Sequence, residues 1–335
     1  MTATGERDPG KHRAHTSSYR ERKAQRASPQ RRLELPPDAD QLTVRAAGRE
    51  VRLTNLQKPF WREPLITKRD LLQYYADVAE WLLPHLRDRA MVMKRYPNGM
   101  AGDFFFMKRV PEPRPEWLSL CRIEHASGNV INFPVINDLA ALLWVINLGC
   151  IDLNQWYATC DDVDRPDAVN FDLDPVGGTG FDAVCETAML VHAALDELGM
   201  PNFAKTTGSR GIHVYVPIVR GPTQKAVWEF AKRFAIAIAA RHSRLITTIY
   251  RVADRPAGHV LVDYNQNAWG RTLASVYSVR PKPRAPVSTP VRWTELSRGV
   301  QIDDFRIDNV SRRLAKVGDL WAPLLARRGR FQLPA

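Results

Sequence analysis

Asp172 and Asp174 lie two residues apart in AVNFDLDP, residues 168–175. Val169, Phe171 and Leu173 alternate with Asn170, Asp172 and Asp174, which is the period of a β-strand, so both carboxylates project from one face. Like charges this close resist joint ionisation unless a cation sits between them. Hard divalent ions such as Mg²⁺ and Mn²⁺ prefer carboxylate oxygens. A bare D-x-D also occurs as a solvated strand-end pair, and a third acid weighs against that reading. Asp263 ends the apolar run Val260–Val262 in HVLVDYNQN. Three carboxylates converging at strand ends make a site for one or two metals, suited to activating a hydroxyl and clamping phosphate oxygens.

Between these acids runs KTTGSRGIHVYVP. Thr207, Ser209 and Arg210, with the two glycines, bring the hydroxyls, the backbone freedom and the cation of a phosphate cradle. The stretch is not a Walker A loop, because it lacks G-x-x-x-x-G-K-[ST] and precedes a strand. His213 opens that strand and can hydrogen-bond a phosphate. Upstream, Phe104, Phe105 and Phe106 are consecutive, so they cannot all enter a core from one strand. At least one ring is expected at the surface, where aromatic rings stack on bases.

The elements that must position these residues follow from periodicity. LTVRA and EVRLTN read as short strands. Thr67 to Arg69 caps a helix with Leu71, Leu72, Tyr75, Val78, Ala79, Leu82 and Leu83 on its apolar stripe. AMVMKR reads as a strand entering a Pro-Asn-Gly turn, VINFPVI as a strand, and 138–148 as a helix. From 168 the order is strand, helix (181–198), strand (202–206), strand (212–217), helix (223–241) and strands at 246–251 and 259–264. This is the split βαβ arrangement with one further strand, and its sheet is expected to leave one face open. The strand ending in Asp263 can then lie beside the one carrying Asp172. A last amphipathic helix is expected near 312–325.

Composition is that of a globular chain: 335 residues, 44% hydrophobic and 25% charged. A net charge of +12 suits a polyanionic partner, nucleic acid before an anionic membrane. Neither a bilayer-spanning run nor a signal-peptide core is present. Cys121, Cys150, Cys160 and Cys185 show no C-x-x-C spacing, so neither a zinc module nor a disulfide framework is indicated, and a reduced cytosolic protein is expected. Residues 1–32 hold nine Lys/Arg and three Asp/Glu with almost no large apolar residues. They read as disordered, either a solubilising leader or a nonspecific nucleic-acid arm.

With these motifs in place, the chain resembles the archaeo-eukaryotic primase-polymerase (AEP) superfamily, and within it the polymerase domain of bacterial DNA ligase D. The resemblance runs from about residue 40 to 325 through LQKPFW, MKRYPNG, FFFMK, DLAALLWVINLG, NFDLDP, TTGSRGIHVYVP, VDYNQN and YSVRPKPRAPVSTPVRWTEL. It implies an α+β fold with an RRM-like, ferredoxin-like catalytic sheet and an N-terminal α/β module. The expected organisation is a disordered basic tail over 1–40, the N-terminal module over 41–160, the catalytic module over 161–300, and a closing helix and tail over 301–335.

Carried over residue by residue, the resemblance makes Asp172, Asp174 and Asp263 the catalytic metal triad, with Mn²⁺ or Mg²⁺. It makes Ser209, Arg210, His213, Arg280 and Lys94 nucleotide contacts, and Phe105 and Phe106 the pair that stacks on a base. Gln266 resembles a sugar- or triphosphate-side contact, and Arg255 a basic residue before the third acid. Thr207 and Arg210 stand where relatives commonly carry Ser and Lys, which puts Thr207 beside a ribose 2′-hydroxyl. Asn154 and Gln155 stand in place of a His-containing motif. Lys58 and Lys68 look like the pair that grips a downstream 5′-phosphate.

The resulting expectation is a template-dependent nucleotidyltransferase that extends primers or fills short gaps in DNA repair, with ribonucleotide use. Its partners are gapped or primer-template DNA, NTPs and dNTPs, and repair proteins such as a separate ligase. A monomer is expected, cytoplasmic and nucleoid-associated, with no membrane role. With neither a K-x-D-G ligase motif nor a phosphoesterase segment, it reads as a stand-alone polymerase. The rivals are a metal-dependent nuclease, which needs neither base-stacking rings nor a triphosphate cradle, and a catalytically inert single-strand-binding protein, which needs no acids.

Overall fold

Apolar spacing builds the N-terminal half much as the sequence implies. In the computed structural model, which describes residues 33–334, the chain opens with the hairpin β1 (Leu42–Ala46) and β2 (Arg49–Leu53), burying Val44, Ala46, Val51 and Leu53. Of the disordered tail expected over 1–40, residues 1–32 lie outside the described residues, whereas 33–40 are packed, with Leu35 buried and its N–H donating to Gln73 Oε1 at 2.9 Å. A short ladder, β3 (Pro59–Trp61) and β4 (Ile66–Thr67), leads into α1 (Lys68–Leu86). Thr67 starts that helix with a reciprocal capping box: its Oγ1 accepts from Asp70 N, and Asp70 Oδ2 accepts from Thr67 N at 2.9 Å. Of the anticipated stripe, Leu71, Leu72, Tyr75, Val78, Ala79 and Leu82 are buried and Leu83 is half-buried.

Next come β5 (Met91–Arg95), β6 (Phe105–Met107), β7 (Leu120–Glu124), β8 (Val130–Pro134), α2 (Leu139–Asn147) and β9 (Cys150–Gln155). Strands β6, β5 and β9 form an antiparallel sheet in that order, while β7 pairs with β8. The β7–β8 hairpin overturns the cysteine reading. Cys121 on β7 and Cys160 beyond β9 form a disulfide with Cα atoms 5.6 Å apart. Spacing in the chain is blind to such a pair, because 39 residues separate its halves and only the tertiary fold brings them together. Cys150 and Cys185 are free and buried.

The remaining elements are β10 (Ala168–Pro175), α3 (Phe181–Glu197), β11 (Phe203–Thr206), β12 (Ile212–Pro217), α4 (Gln224–Arg241), β13 (Ile246–Thr247), β14 (Val260–Asp263), β15 (Pro290–Val291), α5 (Trp293–Leu296), α6 (Val310–Val317) and α7 (Ala322–Leu325). Their sheet has the order β13-β14-β10-β12-β11-β15. Strands β10, β11, β12 and β14, with α3 and α4, are the split βαβ unit. The further strand, β13, is cut to two residues at the edge, because Ile249 and Tyr250 leave the sheet and are exposed. Phe171 points from β10 onto Phe234 of α4, with ring centroids 4.7 Å apart.

The opposite sheet face, which carries Asp172, is not open as expected. Tyr215 on that face is covered by Trp321 at 4.8 Å and Tyr157 at 6.3 Å, and Lys205 and His213 are buried. The closing helix is also two pieces, since Gly318 adopts φ +70° and ends α6 before Trp321 turns onto the sheet. Among the described residues, no helix is long and apolar enough to cross a membrane.

Candidate active site

Strand register gathers the three acids. Asp172 on β10 pairs with Asp263 on β14, and on its other side with His213 on β12. Paired residues share a sheet face, as do residues two apart, so Asp172, Asp174, Asp263 and His213 stand on one face. Burial, then the charge of Asp263, pushes the Asp172 carboxyl up to about 7, against the pull of Lys205 and Arg280. Asp174 is pushed up to about 7 by Asp172 first and burial second, with Arg210 and Arg255 opposing.

These acids suit a divalent ion. Asp172 Oδ1 is buried and has no aligned hydrogen-bond donor; His213 Nε2 lies 3.2 Å away, close but misaligned. Asp263 is satisfied locally, accepting from Asn265 N at 2.8 Å and from Gln266 Nε2 at 3.0 Å. Gln266 thus holds the third acid. Among the described residues, no group of three His, Cys, Asp or Glu side chains is arranged to hold a metal ion as it stands. The all-oxygen donor set and the mutual repulsion of Asp172 and Asp174 are what a hard cation relieves.

Behind His213 lies a residue that sequence reasoning missed. Lys205 is fully buried, with Nζ 2.7 Å from His213 Nδ1 and bonded to Ser288 Oγ. Its inward position in the strand FAKT was the available signal. Burial pulls both Lys205 and His213 well below their usual ranges, and neighbouring cations add to it: Arg280 for Lys205, Lys205 and Arg280 for His213. A neutral His213 presents one N–H and one acceptor nitrogen to its neighbours.

The cradle is built around Thr207, whose Oγ1 accepts from Ser209 N and Gly211 N, both at 3.1 Å. Thr207 therefore braces the loop through both acceptor positions of its hydroxyl, whose O–H is left to donate. Two glycines are required here. Gly208 has φ +65°, and a Cβ on it would come within 2.7 Å of Arg280 Cγ; one on Gly211 would meet Leu173 O at 2.3 Å. Arg280 donates to Thr207 O. Ser209 and the exposed Arg210 border a cleft of about 600 Å³ shared with Phe181, Lys282 and Arg284.

All three phenylalanines are exposed, at 51%, 43% and 60%. They alternate across β6, so Phe105 and Phe106 lie on opposite faces. Phe106 pairs with Lys94 and Phe105 with Arg95. Phe104 and Phe106 flank the Lys94 ammonium, at 4.1 and 5.5 Å from their ring centroids, and Phe104 stacks on Tyr96 at 5.3 Å. Lys94 also pairs in register with Asp152 on β9, a second residue missed from sequence. Arg255 folds onto its own loop, donating to Ile249 O at 3.1 Å and Tyr250 O at 2.8 Å. Asn154 is buried and donates to Asp152 O at 3.2 Å; Gln155 accepts from Ser275 Oγ.

Lys58 and Lys68 are brought together: Lys68 N donates to Lys58 O at 2.9 Å beside the β3–β4 ladder. Lys58 Nζ donates to Asn98 Oδ1, and Lys68 Nζ to Thr54 O at 2.6 Å. Lys68 is buried, and burial first, then Lys58 and Arg95, pulls it down to about 8.

Comparison with known proteins shows the family. The family model described as "LigD, primase-polymerase domain" matches residues 67–321. The chain is 33% identical over 276 residues to the multifunctional non-homologous end joining protein LigD of Mycolicibacterium smegmatis, covering 82% of this chain and 36% of that protein. Against the Pseudomonas aeruginosa protein of the same name it is 30% identical over 293 residues, 86% of this chain and 34% of the relative. It thus spans about a third of the length of these relatives. Among solved structures, the polymerase domain from Mycobacterium tuberculosis ligase D in complex with DNA superposes with a TM-score of 0.77. That match has 30% identity and covers 83% of this chain and 98% of that one.

Proposed function

We propose, from the premise that this chain belongs to the LigD primase-polymerase domain family, that it extends a primer or fills a short gap on template DNA during end-joining repair. The observation that carries this reading is the register pair Asp172–Asp263, with Asp174 on the same face, set beside a glycine-bounded cradle. Mn²⁺ or Mg²⁺ held by Asp172, Asp174 and Asp263 would supply Lewis acidity at the primer hydroxyl and the α-phosphate.

This chain's own residues do the rest. Ser209, Arg210, Arg280 and Lys94 bind the triphosphate, with backbone N–H groups of the cradle as further donors. Phe106 and Phe104 stack on a base at the Lys94 face, and Phe105 meets nucleic acid from the other face. His213 donates from one ring nitrogen toward Asp172 or a phosphate. The primer 3′-hydroxyl releases its proton to solvent and its oxygen bonds to the α-phosphorus as the α–β anhydride bond breaks and pyrophosphate leaves. Lys58 and Lys68 bind a downstream 5′-phosphate, which marks the far side of a gap. A ligase activity would then seal the remaining nick.

The test is primer extension on gapped, 5′-phosphorylated DNA with dNTPs or rNTPs and Mn²⁺ or Mg²⁺. Templated extension, lost on chelation, is the expected result. Shortening of the primer without nucleotide addition would instead make the protein a nuclease, and binding without either would make it a single-strand-binding protein.

A further inference from the structure

Among the described residues only three acidic side chains are buried: Asp172 and Asp263, each 6% exposed, and Asp152, 2% exposed. The first two are the opposed pair of the metal site. Asp152 sits on a different sheet and needs its own account, because a carboxylate this deep is costly to bury unless partners compensate for its lost hydration.

The cations are present. Register sets Phe106, Lys94 and Asp152 in one row across β6, β5 and β9, hence on one face. Arg280 Nε forms an ion pair with Asp152 Oδ2 at 3.2 Å without an aligned hydrogen bond, and the same guanidinium donates to Thr207 O in the cradle. The Asp152 charge is also felt by Lys94 and by buried Lys205, favouring the charged form of each. Its second oxygen, Oδ1, is buried without a hydrogen-bond partner, so the carboxylate is spent on charge pairing. Asp152 therefore joins the aromatic and lysine row of one sheet to the arginine that closes the cradle on the other.

We propose that Asp152 is a positioning residue that holds Arg280 and Lys94 in the arrangement that receives the phosphates of the incoming nucleotide. This rests on the polymerase reading above. The proposal is separable from a simple charge effect because the two predict opposite signs. Deleting an anion beside a triphosphate site strengthens phosphate binding if only through-space charge matters. It weakens binding if the carboxylate fixes the cations.

The test is Asp152→Asn, which keeps the shape and removes the charge, assayed in two ways on the full chain. One is calorimetric binding of an α,β-methylene ribonucleoside triphosphate with Mg²⁺, which needs no turnover. The other is steady-state extension. The expected result is about tenfold weaker binding with KM raised by a similar factor and kcat changed less, and partial recovery in Asp152→Glu. Unchanged or tighter binding by a folded Asp152→Asn protein overturns the proposal. Should that variant fail to fold, Asp152→Glu decides: it keeps the charge and moves the carboxylate by one methylene, so binding should fall part of the way, and wild-type affinity in it overturns the proposal. A wild type that binds nucleotide and extends nothing counts against the polymerase reading, while the binding comparison still judges Asp152.

Discussion

Asp172 stands directly across the antiparallel ladder from Asp263, two like charges at a register position where such a pair normally destabilises a sheet. The chain retains this arrangement in a buried setting, so a divalent cation at the site would stabilise both the ladder and the pentavalent phosphorus of nucleotidyl transfer. Asp172→Ala and Asp263→Ala should each lower kcat for extension by at least ~10²-fold, the scale of losing one transition-state charge stabiliser, while DNA affinity stays near wild type. Primer extension and DNA binding by anisotropy check this; Asp172→Ala with normal kcat would remove the assignment.

The carboxyls of Asp172 and Asp174, both pushed up to about 7, set a pH dependence. Their folded-state values lie above those of the unfolded chain, so the folded protein binds these protons more tightly. Their stabilising effect is therefore full below the unfolded value near 4 and is lost as pH rises through 7. The metal-free protein should show a Tm that falls between about pH 5 and pH 7.5, with a smaller slope in Asp172→Asn. Apparent Mn²⁺ affinity should run the other way, rising through the same interval as the free carboxyls ionise. Added Mn²⁺ should raise the Tm most at the upper end, and a flat metal-free profile would contradict the coupling.

Phe105 and Phe106 should separate in mutagenesis because they occupy opposite faces of β6. Phe106→Ala should weaken nucleotide binding by about 1–3 kcal/mol, the range for base–aromatic stacking. Phe104→Ala should act in the same direction, since its ring shares the Lys94 ammonium. Phe105→Ala should alter DNA affinity and leave nucleotide KM near wild type. Equal effects of Phe105→Ala and Phe106→Ala on KM would show that the strand does not divide them.

Thr207→Val removes an acceptor from two backbone N–H groups. Leaving such donors unsatisfied costs about 1–3 kcal/mol, so the cradle should loosen and rNTP and dNTP use should fall together. Thr207→Ser should restore both. A selective loss of rNTP use would instead return Thr207 to a sugar-reading role.

Lys58 and Lys68 should make the protein prefer gapped DNA with a downstream 5′-phosphate over a 5′-hydroxyl, and Lys58→Ala with Lys68→Ala should abolish the preference. Lys68 is pulled down to about 8, so in free protein its ammonium is lost above that pH. The preference should therefore weaken as pH rises through 8, measured as the ratio of the two dissociation constants. Equal affinity of the wild type for both ends at neutral pH would remove the 5′-phosphate site.

Local pattern alone determined the elements and the chemistry each could carry. Alternation at 168–175 placed Asp172 and Asp174 on one face, helical spacing and Thr67 began α1, and the order of strands and helices specified the split βαβ sheet with Asp263 beside Asp172. Such features depend on nearest neighbours and backbone period, which a sequence displays directly. Other features arise between distant segments. Lys205 and Asp152 gain their meaning only where β12, β5 and Arg280 close around them. The bracing of the loop by Thr207, whose hydroxyl accepts from Ser209 N and Gly211 N, shows only once the loop has curled. The Cys121–Cys160 disulfide and the covering of the sheet by Trp321 depend likewise on contacts across dozens of residues. Tertiary packing decides these because burial and charge pairing depend on what each side chain meets in space.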